Sequence, residues 1–197
     1  LQIKFNREQK MAEKYYISAE ELLVDSFKLG LEIFKSEFRP DFIVGVWRGG
    51  TPVGIAVQEI LHVCGVKTDH ISIRTSSYTA IGERGKEVRV HGLDYIIRNI
   101  NADDSLLLVD DVFDSGLSIK AILDTLKEKC RRNTPEDIRI ATPWFKPENN
   151  QTSLTPHYFL KKSTDWLVFP HELDGLTHDE LVKNKPAIKA LFDEYGL

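Results

Sequence analysis

Residues 106 to 119, Leu-Leu-Leu-Val-Asp-Asp-Val-Phe-Asp-Ser-Gly-Leu-Ser-Ile, constrain the fold of this chain more than any other stretch. Leu106 to Val109 are an unbroken apolar run, the pattern of a strand buried on both faces inside a parallel sheet. Two acids, Asp110 and Asp111, end it, and Asp114 follows. Then come the turn Ser115-Gly116-Leu117-Ser118 and a helical pattern at Ile119, Ile122, Leu123 and Leu126. A strand, a short polar turn with glycine, and a helix is how α/β folds build a site at the carboxyl end of a sheet. The first amides of such a helix lack internal partners and carry partial positive charge, so the turn suits a phosphate. Two carboxylates at a strand end suit sugar hydroxyls or a hydrated Mg²⁺. Capping of the helix explains one acid, but three are present.

A second strand-turn-helix begins at Phe42-Ile43-Val44-Gly45-Val46 and continues through Trp47-Arg48-Gly49-Gly50-Thr51-Pro52 into a helix ending near His62. Arg48 with two glycines lets a side chain and bare backbone amides close around an oxyanion. Ahead of it, Ser18-Ala19-Glu20-Glu21 is a capping-box pattern, with Leu22, Leu23, Phe27, Gly30, Ile33 and Phe34 at helical spacing and Pro40-Asp41 as the stop. His70 to Arg74 is a further expected strand, followed by a polar segment from Thr75 to about Lys86 and an alternating strand from Lys86 to Val90. Later strands are expected at Ile138 to Thr142, Tyr158 to Lys161 and Trp166 to Phe169, and a helix interrupted at Pro186 closes the chain.

The net charge of −4 offers no basic field for nucleic acid or an anionic membrane, so an anionic ligand must be held by local groups. No apolar run approaches the roughly 18 residues of a membrane span. Cys64 and Cys130 lie far apart without metal-ligand spacing, consistent with reduced thiols in the cytoplasm. Residues 1–12 are expected to be a tag or disordered start, since the only Met is Met11. Residues 13–197 are expected to form one domain.

The 106–119 stretch resembles the PRPP-binding motif of the type I phosphoribosyltransferases: a hydrophobic strand, two acids, two apolar residues, Asp or Ala, Thr or Ser, Gly, any residue, Thr or Ser. Trp47-Arg48-Gly49-Gly50 is similar to that family's pyrophosphate loop, with Trp where Ser is common. The resemblance implies an α/β fold with a central, mostly parallel sheet flanked by helices and a small C-terminal hood, mainly 144–175. It also implies roles. Asp110 and Asp111 hold the ribose hydroxyls or Mg²⁺, and Asp114, Ser115, Gly116, Leu117 and Ser118 hold the 5′-phosphate. Asp114 is also the general base. Arg48 and Gly49 bind pyrophosphate, joined by a basic residue of a flexible loop that opens at Ser76-Ser77-Tyr78; Lys86 is the closest match, with Arg84 and Arg89 as competitors.

Phe145-Lys146-Pro147 resembles the Lys-Pro element of the purine enzymes, whose Lys donates to the 6-oxo group. Thr164 to Glu172 is similar to the base-stacking segment of the xanthine-guanine and hypoxanthine-guanine enzymes, which assigns Trp166 to stacking and the Leu167 carbonyl to the base edge. His171 stands where those enzymes usually carry Trp. The implied function is Mg²⁺-dependent transfer of the phosphoribosyl group from PRPP to a 6-oxopurine in purine salvage, by a cytoplasmic homodimer or homotetramer without nucleic-acid or membrane partners. The rivals are a PRPP-binding regulator without turnover and a transferase for a pyrimidine base.

Overall fold

The computed structural model describes residues 14–79 and 86–196. In chain order the elements are β1 (Lys14–Tyr16), α1 (Ala19–Lys35), β2 (Phe42–Trp47), α2 (Gly50–Val63), β3 (Asp69–Thr79), β4 (Lys86–His91), α3 (Asp94–Asn99) and β5 (Ser105–Val109). There follow β6 (Val112–Phe113), α4 (Leu117–Cys130), β7 (Asp137–Phe145), β8 (Tyr158–Lys162), β9 (Trp166–Val168), α5 (His178–Asn184) and α6 (Pro186–Glu194). The described residues fall into two compact units: one within 20–164, the other made of 14–19 and 165–196.

The larger unit is a seven-stranded sheet in which β4, β3, β2, β5 and β7 are successive neighbours, with β6 and β8 also on β7. Every pairing is parallel except β3 with β4. The apolar runs explain the central position of β2 and β5. Leu106, Leu107, Leu108 and Val109 are all 0% exposed, so both faces of β5 are covered. Each such burial contributes roughly 1.5–3 kcal/mol. Phe42, Val44, Val46, Leu106 and Leu108 share one cluster with Ile96 of α3 and Ile119, Ile122 and Leu126 of α4. On β2 and β5 rests α2, which buries Val53, Val57 and Leu61.

One helix phase and three element ends differ from the sequence expectation. In α1, Leu23 is 49% exposed, and the inner face is made by Leu22, Asp25, Ser26, Leu29, Gly30 and Ile33. A charged residue on the buried stripe hid the true phase of the helix; Lys161 Nζ lies 2.6 Å from Asp25 and 2.8 Å from Glu21 and supplies the missing counter-charge. The helix stops at Lys35, short of Pro40, where Glu37 takes a left-handed φ of 65°. Further on, β3 runs through Thr75, Ser76, Ser77 and Tyr78 to Thr79, because the backbone of 86–91 pairs with it antiparallel and satisfies amides that a polar segment would leave to water. Finally, β7 continues past Thr142 to Phe145, so Trp144 and Phe145 belong to the central sheet and not to a hood.

That last extension has a physical signature. The chain runs beside β7 in one register, Val109 opposite Ala141 and Val112 opposite Trp144, but pairing lapses in between. The lapse faces Thr142 and Pro143, and Pro143 has no N–H to donate to a ladder. On its other edge β7 likewise pairs Thr142 and Trp144 with β8 and skips Pro143. The break holds Asp110 and Asp111.

In the smaller unit β1 and β9 pair in parallel, Lys14 with Trp166, Tyr15 with Leu167 and Tyr16 with Val168. Thr177 and Glu180 form a reciprocal capping box at the start of α5. Lys185 Nζ donates to the carbonyls of Phe169 (2.8 Å) and Pro170 (3.0 Å). Among the described residues, no helix is long and apolar enough to cross a membrane.

Candidate active site at the carboxyl ends of β2 and β5

Where the ladder lapses, two carboxylates stand side by side. The Asp110 amide donates to Ala141 O (3.1 Å), and the Asp110 carboxylate accepts from the amides of Asp111 (3.0 Å) and Gly50. Residue 110 is partly accessible, yet its carboxyl lies deep among protein atoms. Burial first, and the charge of Asp111 second, push Asp110 well above the ordinary carboxylate range.

Against this pair lies the Trp47–Gly50 turn between β2 and α2, in which the Trp47–Arg48 peptide is cis and the Thr51 amide donates to Arg48 O (3.2 Å). The sequence assigned this turn and the acids to one ligand, and the structure brings them into contact. A Cβ on Gly49 would overlap the Asp111 carboxylate. On Gly50 it would stand 2.5 Å from Val109 O and 2.7 Å from the Asp110 Cα. Gly50 is required by the close approach of backbone, whereas a side chain at position 49 would have to displace the Asp111 carboxylate. Arg48 and Trp47 are exposed at the tip, Trp47 by 54%.

After β6, the turn 114–118 leads into α4. Gly116 takes a φ of 75° and is buried, and a Cβ there would meet Thr152 Oγ1 at 2.7 Å and the Phe113 ring at 2.8 Å. The Leu117 amide has a long 3.4 Å contact with Ser115 Oγ, and the Lys120 amide donates to Gly116 O (2.9 Å). The hydroxyls of Ser115 and Ser118 thus flank the first amides of a helix, the geometry expected of a phosphate cradle. Thr75 Oγ1 lies 3.4 Å from Ser118 Oγ, a residue of β3 that the sequence offered no reason to single out.

The segment after β7 is zipped to this turn. The Lys146 amide donates to Phe113 O (2.9 Å), and the Gln151 amide to Ser115 O (3.0 Å). Through this pairing Lys146, whose side chain is only 12% exposed, places Nζ 4.0 Å from Asp114 Oδ2. Asn149, which sequence reasoning passed over, donates from Nδ2 to Asp114 Oδ1 at 2.7 Å. Its spacing of three from Lys146 was the available signal, because the single 3₁₀ turn Pro147–Asn149 returns residues at that interval to one side.

The remaining assigned residues lie on other elements. Ser76 lies on β3 with Oγ 3.1 Å from His91 Nε2. Ser77, Tyr78 and Lys86 contribute backbone to β3 and β4, while their side chains, and all of Arg84, lie outside the described residues. Arg89 pairs with Ser76 across that ladder. Trp166 (58% exposed) and Leu167 (buried) sit on β9 in the smaller unit. His171 stacks on Phe169 at 5.8 Å, and Glu172 accepts from the Phe169 amide (3.0 Å), a local brace. Among the described residues, no group of three or more His, Cys, Asp or Glu is arranged to hold a metal.

Comparison with curated protein sequences finds no match. Among solved structures, the purine phosphoribosyltransferase of Pyrococcus horikoshii is similar at 25% identity and a TM-score of 0.64, over 84% of this chain and 98% of that one. The fold recurs in a Neisseria gonorrhoeae hypothetical protein with bound ppGpp (TM-score 0.72, 18% identity, 91% and 99% covered). It recurs too in the Helicobacter pylori xanthine-guanine-hypoxanthine phosphoribosyltransferase (TM-score 0.63, 22% identity, 89% and 99% covered). The profile of the phosphoribosyl transferase domain matches residues 19–176, a span that holds both loops and the acids between them, and the chain therefore belongs to that family.

Proposed function

We propose that this protein transfers the 5-phosphoribosyl group of PRPP to a 6-oxopurine (xanthine, guanine or hypoxanthine), releasing pyrophosphate, as a cytoplasmic homodimer or homotetramer in purine salvage. The observation that carries the choice of base is the Asp114–Lys146 pair, a carboxylate and a sheltered ammonium 4.0 Å apart beside the phosphate turn. A 6-oxopurine presents its imidazole nitrogen N7 and its oxygen O6 as neighbours on one edge. A proton acceptor and a proton donor at that spacing match this edge, and a pyrimidine has no imidazole to offer.

The bond chemistry then divides among named groups. The C1′–oxygen bond to pyrophosphate breaks, the purine N9–C1′ bond forms, and the imidazole proton passes to Asp114, a contribution of roughly 10²–10⁴-fold. Lys146 donates to O6. The amides of 115–118 with the Ser115 and Ser118 hydroxyls hold the 5′-phosphate, and Arg48 with the bare Gly49–Gly50 backbone takes the leaving pyrophosphate. Asp110 and Asp111 fit Mg²⁺: the donors are oxygens only, two carboxyl groups are packed together, and that ion prefers one or two carboxylates with the rest of its shell from substrate and water. When bound it would neutralise charge developing on the pyrophosphate.

A sensor of phosphorylated ligands without turnover is the second reading, and the gonococcal relative with bound ppGpp favours it. One assay separates the two: PRPP and Mg²⁺ with hypoxanthine, guanine, xanthine, adenine, uracil and orotate in turn, alongside calorimetric binding of PRPP and ppGpp. Turnover of a 6-oxopurine supports the enzyme. Turnover of a pyrimidine alone discards the Asp114–Lys146 argument. Binding without reaction of any base leaves the sensor standing.

A further inference from the structure

We infer that Asn149 positions Asp114 for proton abstraction, a role that rests on the transferase reading above. The Asp114 side chain is 48% exposed on a turn, so packing does not fix its orientation. Among the described residues, its carboxylate accepts one hydrogen bond from another side chain, that of Asn149, at 2.7 Å. That bond occupies Oδ1 and leaves Oδ2, the oxygen 4.0 Å from Lys146 Nζ, on the side where the base edge is expected.

The donor is itself anchored. The Asn149 amide donates to Lys146 O (3.2 Å), and Lys146 donates to Phe113 O (2.9 Å) on the strand that delivers Asp114. The backbone of 146–149 is therefore tied to the strand that carries Asp114. Without the amide, the carboxylate is free to turn toward the ammonium and close an ion pair, which takes its acceptor away from the substrate. A neutral donor does what a cation cannot: it orients the carboxylate without competing for the proton. Productive orientation of a reacting group is worth large factors in rate, and a small misplacement loses them.

The test is steady-state kinetics with PRPP and a 6-oxopurine on Asn149→Ala and Asn149→Asp, each alone and combined with Asp114→Asn. Asn149→Ala is expected to lower kcat about ten-fold while KM for PRPP stays within about two-fold, because the phosphate-binding amides are untouched. Asn149→Asp keeps the size of the side chain but cannot donate and sets two carboxylates face to face, so its kcat falls below that of Asn149→Ala. In the Asp114→Asn background neither change has a further effect. A role in shape alone predicts the reverse order, Asn149→Asp near the wild type, and the same loss in both backgrounds; that result overturns the inference. An active wild type with an unchanged Asn149→Ala overturns it without touching the transferase reading, whereas a wild type inactive on every base defeats both.

Discussion

Gly49 lies so close to the carboxylate of Asp111 that any side chain at position 49 would occupy the same space. Two loops that are some 60 positions apart in sequence thereby become one wall. Gly50 is equally confined, but by backbone: Val109 O at 2.5 Å and the Asp110 Cα at 2.7 Å from an added Cβ. The difference separates two effects of the same substitution. The Asp111 side chain can swing away, whereas β5 cannot.

Gly49→Ala is therefore expected to fold with a near-normal melting temperature and, on the proposed function, to bind PRPP with Mg²⁺ at least ten-fold more weakly, since Asp111 would be displaced from the ribose or metal position proposed for it. Gly50→Ala is expected to lose about 2–3 kcal/mol of stability from overpacking against a fixed strand. Thermal melts and PRPP calorimetry on the pair check this; equal melting temperatures would refute the distinction.

Asp114→Asn preserves the shape of the side chain and the amides of residues 115–118, but an amide cannot take a proton. Turnover is expected to fall roughly 10²–10⁴-fold with PRPP affinity retained. Rapid-quench measurement of the first turnover locates the loss in chemistry rather than product release. Turnover equal to wild type would remove Asp114 from the mechanism.

The central sheet was legible because its interior strands are apolar runs bounded by polar turns, and Leu106 to Val109 could be little else. The turn into α4 was legible for a related reason: Ser115-Gly116-Leu117-Ser118 needs glycine where φ is positive. What escaped was carried by pairing between distant segments. Residues 75–79 look polar because they lie at the sheet's periphery, and only the partner strand at 86–91 makes them a strand. Pro143 suggested an end to β7, yet it marks the gap opposite Asp110 and Asp111 through which the strand continues. Asn149 and Thr152 reach the site through a brace of long-range hydrogen bonds and packing, and the three-residue spacing of Asn149 from Lys146 is the one local trace of it.

Asp25 breaks the apolar stripe of α1 and is 4% exposed. Lys161 lies 2.6 Å away, with its Nζ also 4.9 Å from the centroid of the Trp144 ring, and Lys28 is a more distant partner at 3.6 Å. Removing one partner of a buried pair leaves the other desolvated and uncompensated. Lys161→Met is expected to lose about 2 kcal/mol, below the full penalty because the lysine is one-third exposed and Lys28 remains. Adding Asp25→Asn should recover most of it. Urea titrations of the two variants decide the matter, and an unperturbed Lys161→Met midpoint would show that solvent already screens the pair.

In the smaller unit, Lys14 Nζ lies 2.7 Å from Glu180 Oε1, joining the strand β1 to the start of α5. The hydrogen bond from Lys14, followed by that from the Thr177 amide, holds the Glu180 carboxyl down at about 2. An acid whose folded value is depressed contributes stability that is fully present above its unfolded value and lost as pH falls through the folded one. The contribution is thus intact above the ordinary glutamate range near 4.5 and disappears between there and about 2. Wild type is expected to lose melting temperature over that window more steeply than Glu180→Gln, which cannot ionise, while the variant melts lower at neutral pH. Because other carboxylates titrate in the same range, the measurement is the difference between the two melting curves at each pH. A constant difference from pH 7 to pH 2 would mean that the Lys14–Glu180 pair contributes nothing through its charge.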